Sequence, residues 1–211
     1  MKKTIVMTLA SLIFSQAVAS AVIDQDWQTP GDENLLFDTV TNMRWLDLSV
    51  TADISHDTVV TNLGTGGLFE GWRLATQEEV LELWGHAGIT NTERNWVTYQ
   101  YAEVNDLVTR LGPTVMVEPG LFPIATHTIG MVEGGPALTS SERWSMELTY
   151  APDGFSTRTS ASHYTWDIGN ADPHYSTYLV KTVPLPAAVW LFGFGFVGLL
   201  GVARRKKADY S

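Results

Sequence analysis

The chain has 211 residues, with 23 acidic and 13 basic side chains and no cysteine, which excludes disulfides, thiolate metal sites and cysteine nucleophiles. Two basic residues stand at 2–3 and four at 204–207, so residues 22–183 keep seven basic against 22 acidic side chains, a net charge of about −15. A surface of that sign repels nucleic-acid phosphates, argues against a nucleic-acid partner and suits a soluble exported domain.

Lys2-Lys3 precedes the apolar stretch Ile5 to Phe14 and then the small residues Ala17-Val18-Ala19 and Ala19-Ser20-Ala21. Residues 1–21 therefore read as a secretory signal peptide addressed to the secretion translocon. The 162 residues from 22 to 183 have the length of one globular domain, enough to bury roughly 70% of the unfolded surface without disulfides.

Within that domain, Leu35-Leu36-Phe37 and Met43-Arg44-Trp45-Leu46 flank Asp38-Thr39-Val40-Thr41-Asn42, a turn-forming stretch that predicts an early hairpin. Ser55 is placed to cap a short helix from His56 to about Leu63, ended by Gly64-Thr65-Gly66-Gly67. That glycine cluster lacks the Lys-Ser/Thr of a phosphate loop and reads as a turn. Thr76-Gln77-Glu78-Glu79 spells a capping box, and the helix behind it has Val80, Leu81, Leu83 and Trp84 on its buried side. Loss of the Thr76 cap should cost about 1 kcal/mol.

A third helix is predicted over Asn95–Leu111, where Val97, Tyr101, Val104, Leu107, Val108 and Leu111 recur at helical spacing before Gly112-Pro113. Beyond Pro113 the period becomes two. Trp144, Met146, Leu148 and Tyr150 alternate with Ser145, Glu147 and Thr149, and Ala151-Pro152-Asp153-Gly154 turns the chain toward Phe155. Tyr175–Val183 reads as a final strand. Helices first and strands later predict an α+β domain with an antiparallel sheet.

Trp45-Leu46-Asp47, Gly71-Trp72-Arg73-Leu74-Ala75-Thr76 opening a Glu-rich helix, Thr139-Ser140-Ser141 before Trp144, and Tyr178-Leu179-Val180 resemble Lcl-type domains of exported bacterial proteins. The resemblance spans most of residues 34–183 and implies a single C-type-lectin-like domain. The chain departs from it at Ala75, where Pro is usual, and in lacking the usual cysteines.

Val183-Pro184-Leu185-Pro186-Ala187 then leads into an apolar run over 187–203 that stops at Arg204-Arg205-Lys206-Lys207. The uncharged stretch Val183–Ala203 would make about 31 Å of helix, matching a hydrocarbon core of roughly 30 Å. Residues 184–211 thus read as a module with one transmembrane helix at 187–203, and the basic cluster acts as a cytoplasmic stop that leaves the domain outside. This tail resembles the PEP-CTERM sorting signals of Gram-negative bacteria, in the variant named for its Val-Pro-Leu-Pro-Ala opening. The resemblance implies a partner, an exosortase, which is a membrane cysteine protease. It would cut near the proline motif and pass a transiently membrane-anchored domain to the cell surface or extracellular matrix. Leu185 stands where many such signals carry Glu.

Catalytic patterns are sparse. The chain has no Gly-x-Ser-x-Gly elbow and no announced carboxylate pair, so the reading is non-enzymatic and without a cofactor. His163, Asp167, Asp172 and His174 fall within twelve residues, and their imidazoles and carboxylates are the ligand set of a rival reading, a secreted metal-assisted hydrolase. Eight tryptophans and seven tyrosines point elsewhere. Flat aromatic faces with polar rims suit sugars, and Trp96, Tyr99, Tyr164 and Trp166 are candidate contacts for an extracellular polysaccharide, with Tyr101 beside them. Trp45, Trp72, Trp84 and Trp144 lie in apolar periodic contexts and read as core.

Overall fold

The computed structural model describes residues 21–93, 95–116, 126–133, 143–151, 156–164 and 168–184, with the backbone alone for residues 115, 116, 143 and 160–164. Residues 1–20 of the expected 1–21 signal peptide, the 152–155 turn, Trp166, Asp167, the apolar run 187–203 and the 204–207 cluster lie outside the described residues. Among the described residues, no helix is long and apolar enough to cross a membrane.

The expectation of α+β with one antiparallel sheet needs correction, because the described residues form a mostly β fold with two five-stranded sheets. The first is built from β1 (Val22–Gln25), β2 (Leu35–Asp38), β3 (Met43–Leu46), β4 (Arg73–Leu74) and β10 (Leu179–Thr182), in the order β1-β2-β3-β10-β4. The second contains β5 (Val115–Met116), β6 (Thr126–Val132), β7 (Arg143–Tyr150) and β8 (Thr157–Tyr164) in that order, with β9 (Ser176–Thr177) parallel to β6. Strands of two to four residues carry too few alternations to show a period of two, so β1, β4, β5 and β9 leave no pattern to read.

The early hairpin forms as expected, with Leu35 opposite Leu46 and Asp38 opposite Met43. Its turn is held by Asp38, whose carboxylate accepts from the Val40 amide at 2.9 Å and the Thr41 hydroxyl at 2.7 Å. Asn42 closes it at φ 57°, a left-handed conformation that asparagine tolerates well. Helix α1 (His56–Thr61) begins at the Ser55 cap but ends before Leu63, with Asn62 as its C-cap. Helix α2 (Gln77–His86) carries the complete capping box, and Val80, Leu83 and Trp84 are buried. Glu79 also takes a bidentate pair from Arg73, which ties β4 to α2.

Helix α3 (Tyr101–Leu111) is shorter than the predicted Asn95–Leu111. Two competing sets of hydrogen bonds explain this. Val97 exchanges both backbone bonds with Thr157, at 2.9 and 2.8 Å, so this part of the chain adds to the edge of β8 instead of coiling. The Gln100 side chain, itself buried, bonds the backbone amide and carbonyl of Asn91 at 3.0 Å and fixes the loop between α2 and α3.

The expected final strand is split at Tyr178. Its first part belongs to β9 and its second to β10, while the Tyr178 amide donates to the Met131 carbonyl and its carbonyl accepts from the Ala75 amide, both at 2.9 Å. The ring of this residue is fully buried edge-on to Trp45, with centroids 6.4 Å apart, and burial pushes its phenol well above the ordinary value. Tyr178 therefore joins the two sheets through backbone and side chain together. The main core gathers Leu36, Trp45, Trp84, Leu107, Leu111, Met146, Leu148 and Tyr178, and Trp144 packs against it half-buried. A second cluster around Phe69 and Trp72 covers other apolar residues of the first sheet, and Trp27 stacks on Phe69 at 6.1 Å.

Candidate functional site

Alternation in β7 places Trp144, Met146, Leu148 and Tyr150 toward α2 and α3. The opposite face carries Ser145, Glu147 and Thr149, and all three are buried as well. Burying a carboxylate is costly without partners, and Glu147, 2% exposed, receives three on one oxygen. Glu147 Oε1 accepts from Thr149 Oγ1 at 2.7 Å, from Arg158 at 3.0 Å and from the protonated Nδ1 of His127 at 3.0 Å. The strand register brings these together, since Thr149 lies opposite both His127 on β6 and Arg158 on β8. Burial alone would raise the Glu147 carboxyl, but the His127, Thr149 and Arg158 donors outweigh it and hold the group at about 2. Glu147 Oε2 and Arg158 Nε are buried with no hydrogen-bond partner among the described residues.

Arg158 carries this network to the surface. Its guanidinium lies 5.6 Å from the centroid of the Trp96 ring, a cation–π contact. The loop that bears Trp96 is pinned by the Val97–Thr157 pair, by Gln100, and by Thr159 Oγ1, which donates to the Asn91 carbonyl at 2.9 Å. Trp96 is 52% exposed and Tyr99 66% exposed, both large aromatic faces open to solvent on an anchored loop. Tyr101, by contrast, packs edge-on against Tyr150 with centroids 5.8 Å apart. Of the other candidate contacts, Tyr164 is described in backbone only and Trp166 lies outside the described residues.

Sequence reasoning missed Glu147, His127, Thr149 and Arg158 as a group. Each is an ordinary strand residue, and only cross-strand register assembles them. The signal that could have found them is one carboxylate in the polar phase of an otherwise uncharged strand interior.

Two other titratable pairs stand apart from this network. Asp38, fully buried, meets His86 Nδ1 at 2.7 Å. Burial opposes its charge, yet the Thr41 hydroxyl, the His86 ring and the Val40 amide hold its carboxyl below the usual range. The exposed His174 ring meets Asp172 at 2.7 Å, and the Asp172 carboxylate also accepts from the His174 amide. These are the two described members of the rival metal set. The His163 side chain and Asp167 lie outside the described residues, and among those described no group of three His, Asp or Glu side chains is placed to hold a metal.

At the end of the domain, the Val183 amide donates to the Asn42 carbonyl at 2.9 Å and Pro184 is exposed. Leu185, Pro186, Ala187 and the stop residues Arg204, Arg205, Lys206 and Lys207 lie outside the described residues. No curated protein and no solved structure matches the chain. A family model described as the PEP-CTERM protein-sorting motif matches residues 182–207, which supports export of the chain and its processing by an exosortase at the membrane.

Proposed function

We propose that this is a non-enzymatic surface or matrix protein, delivered by exosortase processing, whose Trp96–Tyr99 edge binds extracellular polysaccharide. The sorting motif at residues 182–207 supports the address. The observation that carries the binding reading is the open Trp96 face, backed by Arg158 and through it by the buried Glu147. A pyranose ring laid on an indole gains dispersion and CH–π contact, while a pre-positioned platform loses little side-chain entropy on binding. The polar rim comes from Tyr99 and from the edge of Arg158, which is partly exposed.

Affinity electrophoresis through gels containing extracellular polysaccharide from the producing cells, with a glycan array in parallel, tests this reading. The Trp96→Ala variant should lose about tenfold or more in retention, roughly 1.4 kcal/mol, with unchanged thermal stability. Blank arrays, or full retention by the variant, would remove the binding reading. Mass measurement of the surface-extracted protein tests the address separately, because processing should remove the residues beyond the proline motif and an intact Ser211 terminus would contradict it.

A further inference from the structure

Strand register fixes which end of the first sheet the chain enters and leaves. Val22 begins β1 opposite Asp38, Asp38 lies opposite Met43 across the hairpin, and Thr182 at the end of β10 lies opposite Met43. The 39–42 tip, the Ala21 carbonyl and the exit at Val183 therefore share one end. Thr39 ties the first to the second by donating its amide at 2.8 Å and its hydroxyl at 3.0 Å to the Ala21 carbonyl. The Val183 amide ties the third to the Asn42 carbonyl.

The two ends of this sheet differ in charge. The 26–34 loop joining β1 to β2 at the far end carries Asp26, Asp32 and Glu33. The tip, Thr39-Val40-Thr41-Asn42, carries none; beside it lie the buried Asp38, in contact with His86 at 2.7 Å, and Arg110, which donates to the Val22 carbonyl at 3.3 Å. In a domain of about −15 net charge, the 39–42 tip bears no charged side chain and presents Val40 at 58% exposure. The chain leaving it has only four steps from the anchored Val183 to Ala187, where the apolar run begins. Four extended residues span at most about 14 Å, so an inserted tail keeps the exit end within about 14 Å of the hydrocarbon boundary, close enough for the tip to reach the headgroups.

We propose that this end, with Val40 at its apex, rests on the phospholipid headgroups of the inner membrane while the sorting helix is in place. The proposal rests on the sorting reading. Lack of charge spares the tip repulsion from an anionic leaflet, while the acidic 26–34 loop is held about 13 Å or more away by the length of a four-residue strand. The Asp38–Thr41–His86 contacts and the Val183–Asn42 bond make the surface rigid, so processing releases the domain without reshaping it.

The chain lacks cysteine, so Val40→Cys and Gln28→Cys each give one labelling site, at the tip and at the far loop. The full-length variants, labelled with an environment-sensitive fluorophore, are reconstituted in phosphatidylethanolamine/phosphatidylglycerol vesicles containing headgroup-nitroxide lipid. The expected result is loss of most of the fluorescence at position 40 and little loss at position 28. Equal quenching at both sites, or none at 40, in chains that float with the vesicles would overturn the proposal and leave the sorting reading intact. Chains that fail to float would overturn both.

Discussion

Replacing Glu147 with Gln should lower the unfolding free energy by about 2–3 kcal/mol, because the buried carboxylate's charge-assisted bonds from Arg158, itself only partly buried, and from His127 are lost. Chemical denaturation at neutral pH reads this directly. The Glu147→Leu/Arg158→Leu double variant should recover much of the loss, since removing both charges leaves no uncompensated ion, whereas a purely steric cause would leave the double variant as unstable as the single. The same group sets the acid limb. Its folded-state value, about 2, lies below the ordinary 4.5, so the unfolded chain binds the proton first as pH falls. Stability from this source is complete above about pH 5, drains toward about pH 2 and amounts to about 3 kcal/mol. In Glu147→Gln the stability should change less between those limits. Equal acid sensitivity in the two proteins would refute the assignment.

Gly130→Ala should be the most damaging single-methyl addition in the second sheet. A Cβ there would stand 2.4 Å from Tyr178 Cδ2 and 3.1 Å from Leu48 Cδ2. The ring cannot retreat, because the Tyr178 backbone is hydrogen-bonded on both sides and the ring is packed against Trp45. Overpacking of this kind costs about 1–3 kcal/mol, and the rigid neighbour puts it at the upper end. For a chain of this size that is a fall of about 6–12 °C in Tm, measurable by calorimetry. An unchanged Tm would mean that the sheets part more easily at Tyr178 than the packing indicates.

Local chemistry made much of the first half legible. The Asp38–Asn42 turn, the Ser55 cap and the Thr76–Glu79 box are decided within a few residues, so their hydrogen bonds can be read from the sequence, and the structure has all three. The 95–100 segment failed because its helical periodicity competes with a strand edge far along the chain, and Thr157 offers backbone bonds that no local window contains. The division of residues 176–182 between two sheets is equally non-local, since a continuous apolar strand gives no sign of changing partners at Tyr178. At the candidate site, Trp96 and Tyr99 were visible as aromatic residues near polar ones. The network that holds Arg158 under Trp96 depends on register across β6, β7 and β8, and turns of undetermined length hide that register from the sequence.

The place of β10 bears on when this protein can fold at all. Its strand lies between β3 and β4, in the interior of the first sheet, yet it is among the last parts of the exported domain to be synthesised. Until residues 179–182 are in place, β3 lacks one neighbour and β4 lacks the strand it pairs with among the described residues, so the first sheet cannot close. Contacts spanning nearly the whole domain make closure slow. Closure of the first sheet therefore waits for the strand that lies immediately ahead of the sorting motif at residues 182–207.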